Sequence, residues 1–283
     1  MDANGRSHFL HATGYRSDDL NLIDIDVWRL AAIYLLLIFP LGLILWLKIP
    51  ILGKTVIAIV RMTVQLLLVG FYLQFIFHKN NIWITAGWLI IMILVADVSI
   101  ARSTGLRLRK LGPGLFLSLL PGTAIPLLYF TYLVVGPDAA MEPQYVIPIA
   151  GMILGNCLRA DIIGVGEFYE SLRERKKLYL LRLSQGATHQ EALRPFLRDA
   201  LESSLAPTVA TIATTGLVSL PGMMTGVILG GGNPMAAIKY QIAIMIAILS
   251  GTAITVILAI RITIPWSFDA RGVLDPGIFR EPR

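Results

Sequence analysis

The chain has 283 residues, of which 55% are hydrophobic and only 15% are charged, and its mean hydropathy is +0.71. Soluble domains carry about 25% charged residues, so this chain has too little charge to cover a soluble particle of its size. The composition therefore excludes a disordered chain and indicates a membrane protein. The single cysteine, Cys157, excludes an intrachain disulfide framework and a multi-cysteine metal site.

Seven apolar stretches approach the length of about 20 residues that a helix needs to cross a bilayer. We therefore predict an all-α integral membrane protein with about seven transmembrane helices, or six, since Pro221-Gly222 interrupts the sixth stretch. The seven stretches are residues 28–47, 55–77, 82–101, 115–135, 145–165, 205–226 and 240–262.

Three segments follow from this pattern. Residues 1–26 are polar, begin without an apparent signal peptide and are predicted to form a flexible arm. Residues 27–265 are predicted to form a single transmembrane domain, and residues 266–283 a C-terminal cytoplasmic tail.

Lysine and arginine are concentrated in the loop after the third stretch and in residues 173–198, whereas the loop 136–144 has none. Because cytoplasmic loops are enriched in these residues, we predict a multi-pass protein of the cell membrane with its N-terminus outside and its C-terminus in the cytoplasm. The net charge of +6 is then a signature of membrane orientation, and lipid rather than nucleic acid is the expected neighbour.

The longest internal polar part, residues 167–204, is called here the coupling segment. It consists of two helical stretches separated at Gly186, and Thr188 with Glu191 predicts a capping box that starts the second stretch. That second helix is expected to end just before Pro207. An exposed linker is one interpretation. A docking element for a separate protein is the other, favoured because the turn is well specified and apolar residues alternate with charges.

The sequence around this turn resembles the coupling loop of ABC-transporter membrane subunits, through Gly186, Ala187, Thr188, Glu191 and Ala192, followed by a proline. Two further blocks, residues 146–156 and 216–242, resemble the FetB-like family of ABC permeases implicated in iron export, with plant relatives tied to aluminium tolerance. The resemblance covers about residues 30–265. It implies a homodimeric permease that couples through those five residues to a separate ATP-binding subunit.

In that arrangement ATP is used by the partner, and this chain binds no cofactor and is not itself an enzyme. The sequence agrees, because Gly53-Lys54-Thr55 lacks the earlier glycine and the preceding strand that a phosphate-binding loop needs.

Ionisable and helix-breaking residues within the apolar stretches are candidates for the translocation path or a hinge, since a charge at the bilayer centre costs about 2.5–3.5 kcal/mol on insertion scales. Broken helices are common beside transporter substrate sites. The candidates are Asp97, Arg61, Gln65, Asn156, Pro221, Gly222, Met223 and Met224.

Simpler interpretations stand beside these candidates. Arg61 and Arg159 lie near the predicted inner ends of their helices, where they either reach lipid phosphates or pair with Asp97. The methionines also serve as packing residues. Gly151 and Gly155 have a spacing typical of close helix packing.

No histidine cluster, carboxylate pair or nucleophile–base pair is present in the sequence pattern, so no catalytic residue and no metal ligand is assigned. An intramembrane enzyme is therefore disfavoured. A stand-alone secondary transporter, or an ABC permease for a non-metal substrate, remains an alternative to a metal exporter.

Overall fold

The computed structural model describes residues 26–269 and 272–280, so the predicted N-terminal arm lies almost wholly outside it. The described residues form nine helices and no β-strand, which confirms the all-α fold. The helices are α1 (Val27–Trp46, with a 3₁₀ turn at Tyr34–Leu37), α2 (Leu52–Lys79), α3 (Ile82–Ser103), α4 (Leu108–Phe130, extended by a π turn at Thr131–Val135), α5 (Pro143–Glu174), α6 (Lys176–Ser184), α7 (His189–Thr214), α8 (Gly222–Leu229) and α9 (Pro234–Ser267).

Six helices in the described part of the chain, α1 to α5 and α9, are long and apolar enough to cross a membrane. The stretch 205–226 does not form a seventh helix of this kind. Its first part is the end of α7, and α8 begins only at Gly222. The chain leaves helical geometry between them because Gly216 has a φ of +91° and because Pro221 has no N–H to offer a helix.

The prediction that the helix after the coupling turn ends before Pro207 is wrong, because α7 continues to Thr214 with Pro195 and Pro207 inside it. An interior proline removes one backbone hydrogen bond but does not by itself end a well-packed helix. The buried side chains of Leu193, Phe196 and Ala200 hold the first half of α7 in place.

The contacts divide the chain into two units, of which the first contains residues up to 79 and 225–237. No side chain of α1 is buried, and α2 buries Ile76. A helix that is apolar on every side is typical of a membrane span. The Tyr34 hydroxyl is hydrogen-bonded to the Thr63 hydroxyl and joins α1 to α2.

The second unit, residues 80–224 and 238–283, contains the main core. Here α5 is the central helix and packs against α3, α4 and α7. Two glycines allow α4 and α9 to cross closely: a Cβ on Gly122 would lie 2.7 Å from the Thr255 Cβ, and a Cβ on Gly251 would lie 2.8 Å from the Gly122 carbonyl oxygen.

Gly151 and Gly155, and not Gly122 and Gly251, were predicted to mark close helix packing. Within this chain that prediction is wrong. A Cβ on Gly155 would meet nothing within 4 Å, and one on Gly151 would meet only Met92, at an ordinary 3.5 Å. Helix crossing depends on which faces meet, and the spacing of small residues along one helix does not determine that.

Candidate translocation cavity and coupling region

A cavity of about 410 Å³ lies inside the second unit, where α5, α7, α9 and the segment 219–223 approach one another. Its apolar lining includes Met152, Met223 and Met245, so three thioethers contribute to the wall. Its polar lining consists of Asn156, Arg159, Ser204, Thr208, Thr211, Ser219 and Gln241.

The cavity brings together four of the residues predicted to form the path or hinge: Asn156, Pro221, Gly222 and Met223. Met224 is buried and does not line it. The start of α8 at Gly222 therefore forms part of the cavity wall, as expected for a helix break beside a ligand cavity.

Several polar groups in the lining are already engaged with the backbone. The Asn156 side-chain N–H donates to the Met152 carbonyl at 2.8 Å, and the Ser204 hydroxyl donates to the Leu201 carbonyl at 3.0 Å. Gln241 is different, because it is only 5% exposed and its Oε1 has no hydrogen-bond partner in the part of the chain that the structure describes. Sequence reasoning missed Gln241, since a glutamine near the start of a long apolar helix has no distinctive pattern.

Two carboxyl groups are buried in the same unit but outside this lining. Asp161 on α5 is completely buried and accepts a hydrogen bond of 2.9 Å from the Thr255 hydroxyl on α9. Asp97 on α3 is 6% exposed. Each has an Oδ1 without a partner among the described residues, and within those residues no ion pair joins Asp97 to Arg159. The buried carboxyls therefore tie helices through neutral donors or remain unpaired.

Arg61 and Gln65 lie in the first unit, on one face of α2, as their spacing predicts. Together with Lys54 they line a shallow groove along that helix. Both side chains are exposed, so their predicted role in the path remains a prediction.

The predicted turn of the coupling segment is present, with α6 before it and α7 after it. Gly186 has a φ of +92°, which favours glycine, and its N–H donates to the Leu183 carbonyl at 3.0 Å. The capping box is confirmed: the Thr188 N–H donates to Glu191 Oε2 at 2.8 Å, and the Glu191 N–H donates to the Thr188 hydroxyl at 3.3 Å. The Thr188 N–H and the Thr188 hydroxyl both donate to Glu191 Oε2, and these two hydrogen bonds lower the pKa of Glu191.

The residues expected to couple to a partner divide by burial. Gly186, Thr188 and Glu191 are exposed and Ala187 is half-buried, whereas Ala192 is completely buried. Around the turn, a shallow depression is lined by Arg182, Gln185, Ala187, Glu191 and Arg194. The surface near Gly186 is thus open to a partner, while Ala192 serves the packing beneath it.

The C-terminal segment is folded against the coupling segment. We call residues 268–269 and 272–280 the strap. The Tyr179 hydroxyl on α6 donates to the Gly272 carbonyl at 2.7 Å and lies 2.8 Å from His189 Nδ1. Phe268 packs edge-on against the His189 ring, with centroids 4.7 Å apart. Burial raises the pKa of Tyr179, to which the nearby Asp269 carboxylate adds, and burial lowers the pKa of His189.

The strap also holds the loop between α3 and α4. The Arg107 N–H donates to the Ile278 carbonyl at 2.7 Å, and the Arg280 N–H donates to the Gly105 carbonyl at 2.8 Å. Lys110 pairs with Asp275 at 2.6 Å, and this contact lowers the pKa of Asp275. The sequence predicted only a tail here, although the turn residues Asp275-Pro276-Gly277, followed by two apolar residues, were an available signal.

Six helices in the described residues that are long and apolar enough to cross a membrane, together with a polar cavity between helices of the second unit, define a multi-pass membrane protein. In the described ranges, no group of three or more His, Cys, Asp or Glu residues is arranged to hold a metal ion. The chain belongs to the uncharacterised protein family UPF0014, whose family model matches residues 27–268.

Named relatives place it among membrane and transport proteins. It is 35% identical over 228 residues to a UPF0014 membrane protein of Synechocystis, covering 81% of this chain and 88% of that one. It is 34% identical to the Arabidopsis protein ALUMINUM SENSITIVE 3, over 80% of this chain and 82% of that one. It is 33% identical to the probable iron export permease protein FetB of Escherichia coli, over 76% and 81%. No solved structure matches.

Proposed function

We propose that the chain is the membrane-spanning permease subunit of an ABC transporter that exports iron or another metal. In this proposal, two copies of the chain form the membrane part, and a separate subunit binds and hydrolyses the ATP. The N-terminus lies outside the cell and the coupling end faces the cytoplasm. The metal substrate is inferred from the Escherichia coli relative, the probable iron export permease protein FetB.

The observation that carries the proposal is the exposed glycine turn from which one long helix leads to the cavity. α7 has 26 residues, so it is about 39 Å long at 1.5 Å per residue. Its capped N-terminus follows the Gly186 turn, and Ser204, Thr208 and Thr211 further along it line the cavity. A partner that moves the turn therefore acts directly on the cavity wall.

The break between α7 and α8 can accommodate this movement by backbone rotation. After Thr214 the chain is irregular until α8 begins at Gly222. Hinges are a few residues at the ends of elements that accept backbone rotation. We therefore assign Pro221-Gly222 as the hinge that opens and closes the cavity when the ATP-binding subunit pushes on the coupling turn.

Matched glycine variants test the coupling role. Gly186 and Gly105 both occupy turns with positive φ, +92° and +69°, and both are free of steric contact at the Cβ position. Alanine at either site costs about 1–2 kcal/mol of backbone strain. In a complex reconstituted with the ATP-binding subunit, Gly186→Ala is expected to lower transport-coupled ATP hydrolysis strongly, and Gly105→Ala is the control for strain alone. Equal effects of the two variants would argue against coupling through Gly186.

The alternatives differ in measurable ways. A stand-alone secondary transporter moves substrate in vesicles that contain this chain without the ATP-binding subunit, whereas the proposed permease does not. An ABC permease for a non-metal substrate leaves cellular iron unchanged. We expect cells lacking both subunits to accumulate iron and cells overproducing both to contain less of it. Iron content that responds to neither condition removes iron as the cargo.

A further inference from the structure

The charge of the cavity lining constrains what the cavity binds. Among its lining residues, Arg159 carries the only charge at neutral pH, and no aspartate, glutamate, histidine or cysteine contributes to the wall. The nearest carboxyl along α5, Asp161, is completely buried and engaged with Thr255 on α9. A bare metal cation entering this space would meet a guanidinium and no anionic ligand. The cavity is therefore electrostatically suited to an anion.

The hydrogen-bonding groups add a second requirement. Arg159 has no ion-pair partner in the described ranges, so its N–H donors are available to an oxyanion, which arginine binds with well-matched geometry. Gln241 is only 5% exposed, and its Oε1, which has no partner among the described residues, has almost no accessible surface, so this oxygen does not open into the cavity. A ligand that carries a carboxylate group therefore satisfies the free guanidinium of Arg159.

The two residues lie on different helices, α5 and α9, while Thr208 of α7 adds a third side of the same cavity. The volume of about 410 Å³ falls within the range of about 300–1,000 Å³ found for small-molecule sites. Asn156, one turn before Arg159, also lines the cavity, and its side-chain N–H donates to the Met152 carbonyl. The site is thus built from several elements around one charged group.

We propose that this cavity binds a small soluble carboxylate anion, with Arg159 holding a carboxylate and Gln241 forming part of the polar wall. Where the cargo is a metal, it then crosses as an anionic carboxylate complex rather than as a bare ion. This inference rests on the proposed transport function for its biological meaning, but the binding site itself is tested without the ATP-binding subunit.

The test measures binding to the full chain in nanodiscs of phosphatidylcholine by isothermal titration calorimetry. The probes are citrate, ferric citrate and, under anaerobic conditions, ferrous chloride. Arg159→Gln is expected to weaken citrate binding by about ten- to a hundredfold, the usual range for a lost charge-assisted hydrogen bond. Arg159→Lys keeps the charge and is expected to fall between that variant and the original chain.

Two further variants separate the site from general effects. Gln241→Leu removes a polar side chain from the cavity wall and is expected to weaken citrate binding by several-fold. Arg261→Gln is the matched control, because Arg261 lies on α9 but lines a different cleft, beside His189 and Glu191. It is expected to leave the citrate affinity within about twofold, since it removes no contact with the ligand.

Three results overturn the proposal. The first is that the unsubstituted chain does not bind citrate, or that the Arg159→Gln variant binds citrate equally well. The second is ferrous chloride binding without citrate that is unaffected or strengthened in Arg159→Gln. The third is that citrate no longer binds in nanodiscs containing phosphatidylglycerol and that the chain prefers this lipid only when Arg159 is present. That result would identify the cavity as a site for a lipid headgroup. None of these results depends on the Gly186 coupling test, so the two proposals fail separately.

Discussion

Replacing Gly122 by alanine tests the crossing of α4 and α9 at the centre of the second unit. The added methyl group would lie 2.7 Å from the Thr255 Cβ and 3.1 Å from the Thr255 Cα. Carbon atoms attract best at about 3.5–4.0 Å, so the 2.7 Å contact falls short by about 0.8 Å or more. Because one of the atoms met is backbone, no rotamer change relieves the clash, and the two helices have to separate.

The matched variant is Gly155→Ala on α5, where the methyl group would meet nothing within 4 Å. Both variants add one methyl group inside a membrane-length helix, so the gain in helix propensity is shared. The difference between them is the steric cost of overpacking, about 1–3 kcal/mol. At about 2–4 °C per kcal/mol, a scale taken from soluble domains of similar size, Gly122→Ala should unfold several degrees below Gly155→Ala.

The measurement is thermal unfolding in detergent micelles, followed by tryptophan fluorescence for both variants and the original chain. A Gly122→Ala variant as stable as Gly155→Ala would refute the close crossing of α4 and α9. Reduced stability of both variants by the same amount would assign the effect to loss of glycine in general, not to this contact.

Three more predictions concern the coupling segment and the strap. Thr188→Ala removes the N-cap of α7 and should cost about 1 kcal/mol of stability, with Thr188→Ser restoring it; equal stability of both would contradict the capping role. Tyr179→Phe removes the hydroxyl that contacts Gly272 and His189. It should cost about 1–2 kcal/mol of stability and speed hydrogen exchange in the strap. Lys110→Ala breaks an exposed ion pair with Asp275 and should change the stability little. Burial lowers the pKa of His189 below its ordinary 6.5, so protonation favours the unfolded chain and the stability should fall as the pH drops below about 6.5. The thermal stability of His189→Gln should not show this decrease. The same pH dependence in the variant and the original chain would refute the prediction.

Local patterns were predictable because they depend on neighbours in sequence. The capping box needs only Thr188 and Glu191, three residues apart, and the turn before it needs a glycine that accepts positive φ. The helix after it was predicted too short, because Pro207 was interpreted as an end. Proline is tolerated inside membrane helices because other groups satisfy the carbonyl that it leaves free, and α7 continues for seven residues beyond Pro207.

The candidate site was predictable in part for the same reason. Asn156 and the Pro221-Gly222 break were recognisable as unusual residues in apolar stretches, and the cavity contains them. Gln241 was not recognisable. Gln241 is a buried residue of α9 that lines the same cavity as Arg159 of α5, and these two helices are brought together only by folding.

The sequence by itself determined that this is a membrane protein with an all-α fold, which family it belongs to, and where the glycine turn of the coupling segment lies. These properties follow from composition, from apolar runs of membrane length and from motifs within a few residues of each other. Only the tertiary structure decided that the sixth apolar stretch is divided between α7 and α8, that the C-terminal strap contacts the coupling segment, and that one arginine provides the charge of the cavity. Each of these depends on contacts between residues far apart in the chain, such as Tyr179 with Gly272, and on burial that no local pattern specifies.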